Sequence, residues 1–274
     1  MIVSTNWLAA HLYDPNLAIA DIRSVTNQPD AGRMMYREGH IPGAVFLDLD
    51  EDLADRSDLS KGRHPLPDPR VFVQKLARIG IGKGKRVIAH DDKAGSNAAR
   101  LWWMLRWIGV RDSAVLDGGI TKWVAEGHPV ESGQPHMVTS VEPFDAIVDR
   151  SMSFDKTQVA HAIENGFLLV DARSTERFRG EREPIDARAG HIPGAINAPW
   201  EHNITSATAP TLKSDAELRR LYQQLGVTDA SRVVCYCGSG VTACHDILAL
   251  ELAGLPGAKL YPGSWSEWIV DLKE

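Results

Sequence analysis

The sequence predicts an α/β fold that occurs twice, with a largely parallel sheet in each half. Two observations predict it. Short apolar runs alternate with segments of helical spacing, and blocks of the first half recur in the same order in the second. The length also fits two domains, because 274 residues exceed the usual size of one. With 43% hydrophobic and 24% charged residues, the composition is that of a globular protein with sizeable cores.

The repeat consists of four pairs of matching segments. They are residues 37–46 with 188–197, 19–23 with 169–173, 86–91 with 232–237, and 117–123 with 262–268. Four blocks in one order at a nearly constant offset indicate duplication of a whole domain. We therefore predict an N-terminal domain over residues 1–132 and a C-terminal domain over residues 151–274. The linker is expected between Glu131 and Ser151, where Gly133, Pro135 and Pro143 lie in a stretch without clear periodicity.

Individual elements can be read within each repeat. Residues 168–171 and 233–236 are short apolar runs, which are typical of strands buried on both faces of a parallel sheet. Residues 215–225 and 242–252 carry apolar side chains at helical spacing. Residues 98–108 form the counterpart of the second helix, and we expect their three tryptophans to pack in the core.

Composition excludes several classes of partner. The net charge is −6 and no block of Lys and Arg offsets it, which argues against nucleic acid. No apolar run approaches a membrane span, and the first residues lack the pattern of a signal peptide. The three cysteines cluster at 235, 237 and 244, which is not a disulfide framework. We expect a cytoplasmic protein with no membrane partner.

Cys237 stands at the turn between a predicted strand and a predicted helix, in the segment Cys-Gly-Ser-Gly-Val-Thr. The glycines at 238 and 240 let the backbone curl so that successive N–H groups point at one centre. Those amides and the positive end of the helix dipole favour thiolate over thiol, and the thiolate is the nucleophile. From the residues alone, a buried structural cysteine beside a glycine turn is an equal alternative.

The two halves together resemble the tandem-domain rhodaneses, the thiosulfate and 3-mercaptopyruvate sulfurtransferases. The resemblance rests on both Gly-His-Ile-Pro-Gly blocks, on residues 116–119 and 263–268, and on the Cys237 loop. It covers the chain from about Trp7 to Trp268. It implies two tandem rhodanese-like domains, each a parallel five-stranded sheet flanked by helices. It also implies that Cys237 carries sulfur as a persulfide, with no cofactor beyond this covalent intermediate.

The first domain is expected to be catalytically silent. Alignment of the repeats places Asp91 where Cys237 stands, and a carboxylate cannot carry sulfane sulfur. The loop after Asp91 is longer and has Asp92 and Lys93 in place of the glycine turn. We therefore expect no cradle of backbone amides in this half.

The resemblance also implies roles for the residues around the cysteine. Thiosulfate enzymes place cationic side chains directly after the cysteine, whereas this chain has Gly238 and Ser239 there. This loop sequence resembles that of the 3-mercaptopyruvate branch. In that branch Ser239 takes part in a proton relay, and the motif positions of its partners fall on His64 and Asp50. The loop residues that bind substrate are Gly238, Gly240, Val241 and Thr242.

A keto acid also needs a cation for its carboxylate, and Arg is suited to bind it through two parallel hydrogen bonds. Arg177 matches the first of the two substrate arginines of the family. The second has no counterpart, because Ile185 or its neighbours fall at the expected place, and Arg182 or Arg188 are the candidates to replace it. The repeated His40 and His191 are expected to fix a turn, since the silent domain keeps its copy.

The expected reaction is a double displacement that moves a sulfane sulfur from a small anionic donor, 3-mercaptopyruvate, to a thiol, thioredoxin or cyanide. Thiosulfate:cyanide sulfurtransferase is the alternative activity. A non-catalytic module that binds or senses sulfur is the alternative of another class. A phosphatase on the same fold would need a longer loop ending in Arg, but position 243 is alanine. No Cys and His set has the spacing of a zinc site, so no metal is expected.

Overall fold

The chain, represented here by a computed structural model, is described over residues 1–134, 139–206 and 208–272. It divides into two compact units. The first unit comprises Met1–Asp55, Pro67–Asp149 and Ser206–Thr211, and the second comprises Arg56–Leu66, Arg150–Thr205 and Leu212–Glu274. The short segment Arg56–Leu66 precedes the predicted linker in sequence but packs with the second unit. The predicted domain bounds, 1–132 and 151–274, stay a prediction, and Pro135 of the predicted linker lies outside the described residues.

The first unit contains a five-stranded parallel sheet in the order β1-β5-β4-β2-β3. The strands are β1 Ile2–Val3, β2 Leu17–Asp21, β3 Ala44–Phe46, β4 Arg86–His90 and β5 Ser113–Leu116. The helices are α1 Thr5–His11, α2 Ala31–Glu38, α3 Pro69–Arg78, α4 Ala98–Trp107 and α5 Gly119–Ala125. Strands β4 and β5 are almost wholly buried, as expected when helices cover both faces of a parallel sheet.

The second unit contains a four-stranded parallel sheet in the order β7-β6-β8-β9. The strands are β6 Leu168–Asp171, β7 Ile196–Asn197, β8 Val233–Tyr236 and β9 Lys259–Leu260. The helices are α6 Lys156–Glu164, α7 Thr175–Arg179, α8 Asp215–Gln224, α9 Ala243–Leu252 and α10 Ser264–Trp268. The α/β class and the parallel sheets confirm the prediction for both halves.

The expected fifth strand of the second sheet is not formed within the described residues. Its place beside β9 is taken by a single parallel bridge between Ser153 and Leu260. Residues 150–152 form a tight 3₁₀ turn, and α6 begins at Lys156, so only one residue pair has room to bond. The prediction of five strands in each sheet is therefore wrong for the second.

Tryptophans fill the core of the first unit, as the sequence predicts. The predicted Trp102, Trp103 and Trp107 are buried, and Trp123 is buried as well. Helix α8 begins after Ser214, and the side chains of Ser214 and Glu217 each accept the backbone N–H of the other in a capping box. Among residues 1–134, 139–206 and 208–272, no helix combines the length and the apolar character that a bilayer span requires.

Candidate active site

Cys237 follows β8 directly, and its backbone is fixed by the turn that leads into α10. Its N–H donates to Ser264 Oγ at 3.1 Å, and its carbonyl accepts from the N–H of Trp265 at 3.0 Å. Gly240 has a φ of 77°, and a Cβ there would lie 2.5 Å from the carbonyl oxygen of Pro262. Only glycine fits this position, because a side chain would add both backbone strain and a collision. The loop is therefore rigidly held around the thiol.

The sulfur of Cys237 accepts hydrogen bonds from its own loop. The N–H groups of Ser239 and Gly240 lie 3.5 Å and 3.1 Å from Sγ. Burial alone would raise the pKa of the thiol, but hydrogen bonds from the Thr242 side chain and from the N–H groups of Ser239 and Ala243 outweigh it. The pKa of Cys237 is consequently lowered from its ordinary value, which favours the nucleophilic thiolate.

Val241 and Thr242 complete the loop and lead into α9. Their carbonyl groups accept the N–H groups of Cys244 and His245 at 3.0 Å. Because helix carbonyls point towards the C-terminus, the N–H groups of this first turn point back towards the loop. The predicted binding residues of the loop therefore lie together around Cys237.

Cys235 lies in a different environment although it is only two residues away. It is fully buried in β8, and its pKa is raised well above the ordinary value by burial and by the charge of Asp246. Cys244 in α9 donates its S–H to the carbonyl of Gly240 at 3.4 Å. All three cysteines are free. Burial thus disfavours the thiolate of Cys235, whereas the loop hydrogen bonds favour the thiolate of Cys237, so Cys237 is the candidate nucleophile.

His64 and Ser239 lie within hydrogen-bond distance of each other. His64 belongs to the segment Arg56–Leu66, and its Nδ1 lies 2.7 Å from Ser239 Oγ. Asp50, the third predicted member, belongs to the first unit, where its backbone N–H donates to Asp48 at 2.8 Å. The grouping of Asp50 with the other two stays a prediction.

Arg177 is held by two carboxylates beside the loop. Its Nε and Nη2 donate to Glu183 at 2.8–3.1 Å, and Nη2 also donates to Asp186 at 2.8 Å. Both carboxylates are buried, with side chains 4% and 3% exposed. A Cβ built on Gly238 would lie 3.4–3.5 Å from the two Nη atoms of Arg177. The predicted substrate arginine therefore lies within contact distance of the residue after the cysteine.

A second guanidinium that sequence reasoning missed lies at the same place. Arg63 Nη2 would be 2.7 Å from a Cβ on Gly238, and Nη1 is paired with Asp186. Positions 238 and 239 therefore carry no cation themselves, but two guanidinium groups lie beside Gly238. One feature of the sequence could have indicated Arg63, namely its position next to His64. Its place in the site becomes evident only because residues 56–66 pack with the second unit.

The residues considered as replacements for the missing arginine are placed differently. Arg182 is exposed, and the carbonyl of Arg188 accepts the indole N–H of Trp265 at 2.8 Å. Ile185 donates its backbone N–H to Glu183 at 3.0 Å. Ile185 thus helps to place the carboxylate that orients Arg177, although its side chain offers no charge.

The first unit contains an amide cradle, contrary to the expectation. The carboxylate of Asp91 accepts N–H groups at 2.7–2.9 Å from four residues of its loop, namely Lys93, Gly95, Asn97 and Ala98. A buried carboxylate thus occupies the centre that Sγ occupies in the second unit. The cradle forms without the glycine turn because the side chain of Asp91 itself organises the amides.

The repeated histidines play a structural part. His40 Nδ1 lies 2.8 Å from the carbonyl oxygen of Tyr36, and its imidazole stacks on the Tyr36 ring. His191 Nδ1 lies 2.8 Å from the carbonyl oxygen of Phe178, and its imidazole stacks on the Phe178 ring. Both therefore fix the approach to the Gly-His-Ile-Pro-Gly turn, as predicted. Within the described residues, no group of three or more His, Cys, Asp or Glu is arranged to hold a metal ion.

Comparisons with known proteins identify the family of the chain. The family model of the rhodanese-like domain matches residues 4–126 and 155–271. The chain is 43% identical to a probable 3-mercaptopyruvate sulfurtransferase of Pseudomonas aeruginosa, over 98% of this chain and 95% of the relative. It is 39% identical to a putative thiosulfate sulfurtransferase of Mycobacterium tuberculosis, over 94% and 89%.

A solved structure has the same fold. The 3-mercaptopyruvate sulfurtransferase from Leishmania major superposes with a TM-score of 0.87 at 31% identity, over 98% of this chain and 74% of that one. Two family matches in one chain also account for the internal repeat. The chain therefore belongs to the tandem-domain rhodanese family of thiosulfate and 3-mercaptopyruvate sulfurtransferases.

Proposed function

We propose that this chain moves a sulfane sulfur from 3-mercaptopyruvate to a thiol or cyanide through a persulfide on Cys237, in the C-terminal domain. The observation that carries the proposal is the Cys237 sulfur, which accepts loop N–H groups while its pKa is lowered. Further support comes from two similar proteins, one from Pseudomonas aeruginosa and one from Escherichia coli, whose names give 3-mercaptopyruvate as the donor.

In the first half-reaction, the Cys237 thiolate attacks the thiol sulfur of mercaptopyruvate. The sulfur–carbon bond breaks, a sulfur–sulfur bond forms, and the electron pair leaves with the carbon as the enolate of pyruvate. The new persulfide loses the proton of the donor thiol, which is the proton that the enolate must gain, and the N–H groups that surround Sγ stabilise the persulfide anion. Arg177 beside Gly238 binds the donor carboxylate, since guanidinium and carboxylate form paired hydrogen bonds.

The enolate needs one proton to become pyruvate. Ser239 and His64, 2.7 Å apart, form the path for that proton, with the hydroxyl nearer the sulfur loop. Asp50 is proposed to complete the relay as the partner of His64. No metal or organic cofactor is required by this scheme, because the protein itself carries the sulfur.

In the second half-reaction, an acceptor thiolate or cyanide attacks the outer sulfur and restores the Cys237 thiolate. A small thiol, thioredoxin or cyanide meets this requirement, and nucleic acid has no place in it. The first domain, with Asp91 in place of cysteine, is proposed to be silent. The proposed location is the cytoplasm, where three free cysteines would stay reduced.

The test is mass spectrometry of the intact protein after brief mixing with mercaptopyruvate. We expect the wild type to gain the mass of one sulfur atom, located on Cys237, and to release one pyruvate. A following addition of cyanide should remove the sulfur as thiocyanate. Cys235→Ala is the matched control and should form the persulfide normally. A protein that gains no sulfur from any donor would instead be a binding or sensing module.

Thiosulfate remains the second candidate donor, and a specific observation favours it. Two guanidinium groups lie beside Gly238, where a sulfonate would be bound, and the Mycobacterium tuberculosis relative is named for thiosulfate. The comparison of kcat/KM for the two donors decides between them. We expect mercaptopyruvate to be preferred, and a clear preference for thiosulfate would reassign the activity.

A further inference from the structure

Arg63 is fixed to the same turn that holds the cysteine loop. Gly62, at a φ of 101°, packs so closely that a Cβ would lie 2.7 Å from the carbonyl of Gly263. The next residue, Arg63, donates its backbone N–H to Ser266 Oγ at 3.1 Å, and Ser266 in turn donates its N–H to the carbonyl of Gly238 at 3.0 Å. Arg63 is therefore tied to the Cys237 loop through its backbone as well as its side chain.

A single buried carboxylate connects the two guanidinium groups. Asp186 Oδ1 pairs with Arg63 Nη1, and Asp186 Oδ2 accepts from Arg177 Nη2. Because one rigid carboxylate contacts both cations, it fixes the spacing between them. Glu183 holds the opposite edge of Arg177 and is itself placed by the N–H groups of residues 185 and 186. The two arginines are thus oriented before any ligand binds.

Both guanidinium groups pack directly against the Cα of Gly238. Arg63 Nη2 and Arg177 Nη1 would lie 2.7 Å and 3.5 Å from a Cβ at this position. Neither atom contributes to the hydrogen bonds and ion pairs with Asp186 and Glu183 described above. Arg63 is also close enough to Cys237 for the two charges to interact. A pair of donors therefore faces the residue that follows the nucleophile, with the glycine hydrogen in place of a side chain.

We propose that Arg63 is a substrate-binding residue that selects donors with a carboxylate, acting with Arg177, and that Asp186 is the positioning residue for the pair. The inference deepens the proposed function and rests on it. The ligand is the carboxylate of a 2-oxo acid that carries a thiol on carbon 3. One oxygen binds Arg63 and the other Arg177, which places the thiol end towards Cys237.

The test measures kcat and KM with mercaptopyruvate in Arg63→Gln and Arg63→Lys. The matched control is Arg179→Gln, which removes an exposed arginine two residues after Arg177. We expect Arg63→Gln to raise KM by about ten- to hundredfold, the effect of one charge-assisted contact, with a smaller change in kcat. Arg63→Lys should recover part of the loss, and Arg179→Gln should behave as the wild type.

Mercaptoacetone, which has the ketone and thiol but no carboxylate, separates donor recognition from a structural role. Wild type and Arg63→Gln should use it equally well if Arg63 acts through the carboxylate. Asp186→Asn should raise KM for mercaptopyruvate, and its effect should be less than additive with Arg63→Gln because the two residues act together. An unchanged KM in Arg63→Gln, or an equal loss with both donors, would overturn the inference.

The outcome also distinguishes this inference from the proposed function. If the wild type forms no persulfide with mercaptopyruvate, the proposed function fails. Binding of pyruvate to wild type and Arg63→Gln, measured by calorimetry, then tests the arginine pair on its own. Weaker binding of pyruvate in the variant supports the carboxylate site, whereas equal binding refutes it.

Discussion

Replacement of Asp91 by alanine tests whether its carboxylate holds the loop after β4 in place. The carboxylate is fully buried and accepts four N–H groups of its own loop at 2.7–2.9 Å. Alanine removes every one of these acceptors and leaves the four amides facing a void. The corresponding loop of the second unit surrounds the sulfur of Cys237. The stability of Asp91→Ala therefore shows how much the first loop depends on the acceptor at its centre.

The magnitude follows from the number of amides. A buried donor left without a partner costs about 1–3 kcal/mol, so four amides at the low end of that range give a loss of about 4 kcal/mol. That is a large part of the about 5–15 kcal/mol that stabilises a typical folded domain. The free energy of unfolding of the full chain, measured in urea, should fall by this amount for Asp91→Ala.

Asp92→Ala is the matched control. Its carboxyl has a raised pKa because of burial and the neighbouring charge of Asp91, and its Oδ1 has no hydrogen-bond partner within the described residues. Removing this side chain should therefore leave the stability unchanged or slightly improved. Losses below about 1 kcal/mol for Asp91→Ala, or equal losses in the two variants, would refute the role of the carboxylate as an internal anion.

Three further predictions concern the cysteine sites. Cys237→Ser should abolish sulfur transfer while the fold is kept, and Cys235→Ala and Cys244→Ala should keep most of the activity; activity remaining in Cys237→Ser would contradict the assignment. The wild type should show an ultraviolet thiolate absorbance that Cys237→Ser lacks. This absorbance should disappear on acidification at a pH below the ordinary thiol range, because the lowered pKa keeps Cys237 ionised as the pH falls. The Cys237→Ser/Asp91→Cys variant should stay inactive in thiocyanate assays, because Asp92 brings a carboxyl group to the place where the second unit has two guanidiniums; sulfur transfer by this variant would show that the amides alone suffice.

Local patterns were enough to predict much of the fold and the centre of the site. The apolar runs at 168–171 and 233–236 are the strands found there, and α8 and α9 lie within the predicted helices. These elements are set by periodicity over a few residues, which a single sequence displays. The Cys237 loop was recognisable for the same reason, since its glycines and its position before a helix are adjacent in the chain.

Other features are not evident from apolar periodicity or from the positions of glycines. Arg63 joins the site because residues 56–66 pack with the second unit, and no local pattern marks that association. The cradle around Asp91 does not follow from glycine positions, because a carboxylate can gather amides through its own hydrogen bonds. The fifth strand of the second sheet failed because a 3₁₀ turn occupies most of its length.

Ser239→Ala gives the sharpest test of the donor, because the two candidate donors differ in what leaves. Mercaptopyruvate leaves an enolate that must gain a proton, and Ser239 Oγ, 2.7 Å from His64 Nδ1, is the group placed to deliver it. Thiosulfate leaves sulfite, a stable anion that needs no proton. Loss of the hydroxyl should therefore lower kcat with mercaptopyruvate by about a hundredfold, within the range for general acid catalysis, and change kcat with thiosulfate little.

The loop amides around Cys237 use backbone atoms and remain in this variant, so persulfide stabilisation is preserved and the difference between donors isolates the proton. His64→Gln should give the same pattern, since the imidazole acts on the leaving group through Ser239. Equal losses with both donors would mean that Ser239 shapes the loop and transfers no proton. A loss confined to thiosulfate would reverse the assignment, because the hydroxyl would then serve to bind the sulfonate.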